Sequence, residues 1–318
     1  MDNFRLYFPI DLYPFSMKHG DQLLFLGSCF SDEIALKARY CGFKCESNPF
    51  GTIFHPLVLS RFISETLEPK FSAERIVSRN DLYFTWDAGS SVFAFDSESL
   101  ELKLESIRNA WKNYLQQASI LFVTFGSAWG YRIPDRDFSV ANCHKFPASS
   151  FQKELSDSLT IVRQWKETIA RLKAYNPALK IVFTVSPVRH FRDGLIENNQ
   201  SKSILIDAVR VLVQEENCSY FPAYEIVTDE LRDYRFFKTD RVHPNEEAID
   251  YVWNRLLTTM SSTETQSICK MVVKQRLAEN HRTLFPESEE SINHRNITTE
   301  NRRKLLNQFP EIQLNDSN

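Results

Sequence analysis

Two residues that could serve as nucleophiles stand side by side near the start of the chain. Residues 23–31 read LLFLGSCFS, so Ser28 and Cys29 follow a glycine that closes an apolar run. A serine hydroxyl attacks a carbonyl only when a base removes its proton, and that base works best when a carboxylate fixes its tautomer. Far along the chain, DRVHP at 240–244 supplies such a pair, with Asp240 three residues before His243. One turn of chain brings that carboxylate to the imidazole. Cys29 would act instead as a thiolate, which needs an imidazolium or a helix N-terminus beside it. Adjacent residues at a sharp turn point in different directions, so one histidine can serve only one of them.

Other polar groups collect in three stretches, GSAWG at 126–130, VANCHKFP at 140–147 and SPVRH at 186–190. The Arg189 guanidinium suits bidentate recognition of a carboxylate or phosphate on a substrate. His144 and His190 are candidates for orienting a substrate hydroxyl or acting as a second acid or base. Cys41 and Cys45 have C-x3-C spacing, yet Cys143 and His144 are adjacent rather than at ligand spacing, so half of a zinc site is missing. No metal or other cofactor is expected. The six cysteines do not form the framework of a small secreted domain and are expected to be reduced.

For these groups to meet, residues 28, 126–147, 186–190 and 240–243 must reach one edge of a scaffold. QLLFLG at 22–27, ILFVTFG at 120–126 and KIVFTVSPV at 180–188 have the continuous apolar character of buried strands. Ser31-Asp32-Glu33 opens a helix that Cys41-Gly42 closes, and 43–46 suits a second strand. Helices are predicted over 57–67, 98–118, 153–174, 201–216 and 245–260, with Pro244 placed at the start of the last. A hairpin is predicted over 82–95, turning at Ala-Gly-Ser-Ser, and a final strand within 219–227. Strands alternating with helices indicate an α/β fold with a mainly parallel sheet, whose chemistry gathers at the carboxyl ends of the strands. Residues 1–260 are assigned to this α/β domain. Residues 261–318 are more polar and are assigned to a helical extension that is partly flexible and frays towards its end.

Composition narrows the function classes. A net charge of −3 over 318 residues gives no basic surface for nucleic acid or an anionic membrane. No apolar stretch reaches the roughly 20 residues needed to cross a bilayer. The first sixteen residues, MDNFRLYFPIDLYPFS, lack the basic head and apolar run of a secretory leader. A cytoplasmic location is expected.

The Gly-Ser at the end of the first strand and the Asp-x-x-His before the last helix of the α/β unit together resemble the SGNH hydrolases. The string GSCFS, NPFGT, FGSAWGY, VANCHKFP and SPVRH is similar, in order and spacing, to the GSCFA family, a branch of that superfamily. The resemblance spans roughly residues 20 to 260. It implies a three-layer sandwich like that of SGNH hydrolases and flavodoxin. It also implies Ser28 as nucleophile, His243 as base and Asp240 as its orienting acid, with Cys29 packed beneath the turn. Gly51 of NPFGT and the Ser28 N–H would form part of the oxyanion hole. The G-x-N-D asparagine usual in SGNH enzymes is absent, and Asn142 or Ser127 would supply the missing donor, Asn142 being preferred for its reach and two donors. The expected reaction is hydrolysis of a small O-acyl ester, such as an acetyl group on a carbohydrate. The same site would act as an O-acyltransferase if another alcohol replaced water, and a non-catalytic ligand-binding module is the alternative of a different class.

Overall fold

Three runs, LLFL, ILFVTF and IVFTV, supply the centre of the protein because they are apolar enough to be covered on both faces, and the short, polar KCES closes one sheet edge. The computed structural model describes residues 6–68, 75–134, 136 and 138–314. The first half contains strand β1 (Gln22–Gly27), helix α1 (Cys29–Tyr40), β2 (Lys44–Ser47), α2 (Pro56–Leu67), β3 (Ile76–Arg79), β4 (Leu82–Thr85) and α3 (Ser97–Gln117). Then come β5 (Ile120–Phe125), β6 (Trp129–Arg132), β7 (Gln152–Leu155), α4 (Ser158–Tyr175), β8 (Lys180–Val185) and α5 (Leu195–Glu216). The last are β9 (Ser219–Tyr220), the single turn α6 (Ala223–Glu225), α7 (Glu246–Met260), α8 (Thr263–Glu279) and α9 (Glu289–Gln308).

The central sheet has the order β2-β1-β5-β8-β9, and every neighbouring pair is parallel. Side chains alternate across it, as a period of two requires. Leu24, Leu26, Leu121, Val123, Ile181 and Phe183 pack with the buried faces of α2, α3, α4 and α5. Leu23, Phe25, Phe122 and Val182 pack on the other face with α1 and α7. The result is an α/β three-layer sandwich. None of the described helices is long and apolar enough to cross a membrane.

Several boundaries differ from those expected from sequence, each for a local reason. The hairpin turns at Asn80-Asp81, both in the left-handed region, and pairs β3 with β4; the AGSS segment lies beyond it, and only Tyr83 bridges to Ala94. Residues 152–155, of which 153–155 are expected in a helix, instead form β7 against β6, and Asp157 caps α4 by accepting from the Thr160 N–H at 2.9 Å. Helix α5 starts at Leu195, earlier than expected. Strand β9 stops after two residues, because Pro222 follows and the chain turns into α6 and a π-helical turn over Ile226–Leu231. Pro244 lies outside α7; Asn245 is the cap, its Oδ1 accepting from Ala248 N–H at 3.0 Å.

Residues beyond 261 pack on the sandwich. Val272 covers Gly42, and Ile312 and Leu314 are buried with α8 and α9. The Gln313 N–H donates to the Gly42 carbonyl at 2.8 Å. The fraying expected at the very end concerns residues 315–318, outside the described residues.

Candidate active site

The turn after β1 is fixed from three sides. Gly27 has a φ of +125°, and a Cβ there would fall 2.0 Å from the Thr124 carbonyl oxygen on β5, so only glycine lets the two strands come this close. Ser31 Oγ donates to the Leu26 carbonyl at 3.0 Å and pairs with Thr124 Oγ1 at 2.8 Å. Asn48, at the end of β2, clasps the turn: its Oδ1 accepts from Gly27 N–H at 2.8 Å and its Nδ2 donates to Asp32 Oδ2 at 2.8 Å. The sequence reading gave Asn48 no role, although its place at the head of NPFGT beside a glycine turn was the available signal.

Ser28 occupies the N-cap position of α1 in extended conformation, yet its side chain makes no capping bond. The residue is wholly buried, and Ser28 Oγ has no hydrogen-bond partner among the described residues. A buried hydroxyl without a partner costs about 1–3 kcal/mol and calls for an explanation. Cys29, in the first turn of α1, is half-buried. Burial, and then the carboxylates of Asp32 and Glu33, raise its thiol pKa, which opposes thiolate formation.

The loop before α7 presents the second half of the site. His243 Nδ1 and Asp240 Oδ2 are 2.7 Å apart, and Asp240 Oδ1 accepts the backbone N–H groups of Val242 at 2.8 Å and His243 at 3.0 Å. Those two N–H groups first, then the imidazole, hold the Asp240 carboxyl well below the usual carboxylate range. Arg189 N–H donates to the Val242 carbonyl, which lays this loop beside the one that follows β8. On the other side, Lys238 Nζ lies 3.2 Å from Glu33 Oε1 of α1. The loop is thus tethered to the element that carries Ser28.

His190, after β8, is an electrostatic neighbour of His243. Its Nε2 is buried without a partner among the described residues, and burial, then the nearby charges of Lys202 and His243, push its pKa down to about 3. Beside it opens a cavity of about 390 Å³, whose lining includes His190, Ser127 and Asn142. Asn142 Oδ1 accepts from Ser90 Oγ at 3.0 Å and from His144 N–H at 2.8 Å. Since a backbone N–H can only donate, the oxygen must face it, and the Nδ2 donors remain available. Ser127 Oγ accepts from Trp129 N–H at 3.1 Å and pairs with Ser201 Oγ at 3.3 Å.

Three of the expected site residues have partners of their own within the fold. Gly51 donates its N–H to the Asn48 carbonyl at 2.8 Å, so it is not an open oxyanion donor in this conformation. With a φ of +74° and a Cβ position 2.9 Å from Ser91 Oγ, Gly51 serves the tight packing of NPFGT against residues 89–91. His144 does not present a free ring to substrate: Nε2 lies 2.8 Å from the Thr85 carbonyl, Nδ1 lies 3.2 Å from Ser90 Oγ, and the buried ring stacks on Phe84. Arg189 lies against the rings of Tyr234 and Phe237, with Nη1 3.4 Å from the Tyr234 hydroxyl. The Ser28 N–H approaches the Thr124 carbonyl at a long 3.3 Å.

The sequence reading also missed Lys202. This residue of α5 is 1% exposed, and its Nζ donates to the carbonyls of Gly126 and Ser186, both at 2.7 Å. It bridges the exits of β5 and β8, from which Ser127 and His190 follow. The signal was its position on the buried stripe Asn198, Ser201, Lys202, Leu205, Ala208 and Val209.

A parallel α/β sandwich with its polar groups gathered at the carboxyl edge defines the class. The chain belongs to the GSCFA family, whose model matches residues 22–256. No curated protein matches it. Among solved structures it is similar to a carbohydrate esterase family 3 protein from Talaromyces cellulolyticus, at 10% identity and a TM-score of 0.33, over 79% of this chain and 98% of that one.

The state of the thiol makes one expectation direct. In an assay for turnover of a short acyl ester, Cys29→Ala is expected to stay within about threefold of wild type, because burial and two nearby carboxylates oppose a thiolate at this position. A loss of several orders of magnitude in a steady-state assay would make Cys29 the nucleophile.

Proposed function

We propose that the protein is a serine esterase that removes a small acyl group from an alcohol, with Ser28, His243 and Asp240 as its working residues. The observation that carries this reading is the 2.7 Å Asp240–His243 pair, on a loop tethered to α1, together with a buried Ser28 hydroxyl that caps nothing. Membership of the GSCFA family and the resemblance of its motifs to SGNH hydrolases support the same chemistry.

In this reading Ser28 Oγ attacks the ester carbonyl while His243 Nε2 takes its proton. Asp240 holds the Nδ1–H and stabilises the imidazolium. The oxyanion is met by the Asn142 amide and by the Ser28 N–H, which gives up its 3.3 Å bond to the Thr124 carbonyl as charge develops. Collapse of the tetrahedral intermediate expels the alcohol, which receives the proton from His243. Water, activated by the same nitrogen, then releases the acyl group as a carboxylic acid. Ser28 Oγ makes no bond to His243 without substrate, so that contact is completed on binding.

A fluorophosphonate probe and p-nitrophenyl acetate test the reading. Wild type should be labelled and should turn over the ester, and Ser28→Ala should lose both. Labelling that persists in Ser28→Ala removes Ser28 from the role. The engaged Gly51 donor favours a second reading, a ligand-binding module on the same edge. Absence of turnover on a panel of short-chain and sugar esters would select it.

A further inference from the structure

The cavity beside His190 has a composition that the proposed reaction does not by itself require. Its walls are aromatic, with Phe54, Trp129, Tyr131, Phe146 and Phe151 around the opening. Two cations, Lys145 and Arg192, also line it, whereas no aspartate or glutamate does so among the described residues. Neither cation has an ion-pair partner among the described residues, although this protein pairs many others, Arg61 with Asp87 and Arg132 with Glu154 among them. At the cavity wall, His190 Nε2 is buried and has no partner among the described residues. The ring edges against Phe54 at 5.2 Å between centroids, so an apolar wall and a polar nitrogen meet there.

These features select a ligand. Aromatic walls favour a flat or apolar body over an extended polar chain. Lys145 and Arg192, both exposed and without an acidic partner among the described residues, favour a negative charge on the part of the ligand that lies nearest them. The neutral imidazole can bond an ester or hydroxyl oxygen without adding charge. We propose that this cavity binds the alcohol portion of the substrate, and that this portion is an anion with a flat, apolar body. Resting on the esterase reading, the arrangement places the ester beside His190, next to His243, with the anionic group towards Arg192 and Lys145.

The test uses compounds that cannot be hydrolysed, so it does not depend on turnover. Wild-type protein is titrated calorimetrically with 4-hydroxybenzoate, with the neutral 4-hydroxybenzamide, and with acetate, which has the charge without the ring. The benzoate should bind about tenfold more tightly than the amide at low ionic strength, the size expected when two exposed cations each contribute modestly. It should also bind at least about tenfold more tightly than acetate, since acetate forfeits the aromatic walls. In the double variant Lys145→Asn, Arg192→Gln the preference for benzoate over the amide should shrink towards unity, while affinity for the amide is retained. Equal affinity for benzoate and amide in wild type, or no binding of either, overturns the proposal. A preference that persists in the double variant overturns the part assigned to these two cations. Loss of fluorophosphonate labelling would instead bear on the esterase reading, so the two failures are separate.

Discussion

His243→Ala is expected to lower turnover of a short-chain acyl ester by about four orders of magnitude, with the folded structure unchanged. His243 is nearly half exposed, so its truncation leaves no cavity in the core and its effect should be confined to kcat. The double variant Ser28→Ala, His243→Ala should be no slower than either single variant, because in the proposed mechanism nucleophile and base act as one unit. Asp240→Asn should cost less, about a hundredfold. Its oxygen can still accept the N–H groups of Val242 and His243, but the amide nitrogen would then face Nδ1 and favour the wrong tautomer. Water reaches this exposed pair and competes with the carboxylate, which limits what the substitution removes. Single-turnover kinetics on purified variants of equal thermal stability measures these ratios. Additive losses in the double variant would show that Ser28 and His243 do not work together.

How much of this could be read in the sequence depended on the range of the interaction concerned. The three central strands were legible because a strand buried on both faces is apolar throughout, and helices α3 and α7 because their burial follows a 3.6-residue period. The Asp240–His243 pair was legible because three residues of chain suffice to close it. The β6–β7 hairpin was not, since Trp129–Arg132 and Gln152–Leu155 are short, polar and defined by pairing with one another across a long loop. The same holds for the oxyanion donors. Whether Gly51 offers its N–H is decided by a turn bond to Asn48, and whether Asn142 offers its amide is decided by Ser90 and His144. His144 looked like a site residue because histidines in loops often are, but its two ring nitrogens are engaged by β4 and residue 90 of the adjoining loop. Lys202 was hidden by its type: a lysine in a helix is ordinarily solvated, and only its register with Leu205 and Val209 marks it as buried.

Lys202→Met should destabilise the protein by about 2–4 kcal/mol at pH 8, measured by urea unfolding. The substitution conserves volume but leaves the Gly126 and Ser186 carbonyls without their donor in a buried place, at about 1–3 kcal/mol each, partly offset by removing a polar nitrogen from the interior. The dependence on pH is the sharper measurement. Burial pushes the Lys202 pKa down to about 7, whereas an unfolded lysine titrates near 10.4. Between those values the unfolded chain holds a proton that the folded protein lacks, so stability from this group rises with pH across that window. The slope is at most about 1.4 kcal/mol per pH unit, and below about 7 it vanishes because both states are protonated. A neutral amine still carries two N–H groups, one for each carbonyl, so deprotonation removes the unpaired charge without breaking the bridge. The methionine variant lacks this contribution while retaining every other titration. The difference between the two proteins should therefore widen as pH rises from 7 to 9. Parallel stability curves over that range would mean that Lys202 remains an ammonium throughout, held by its two carbonyls against the desolvation penalty.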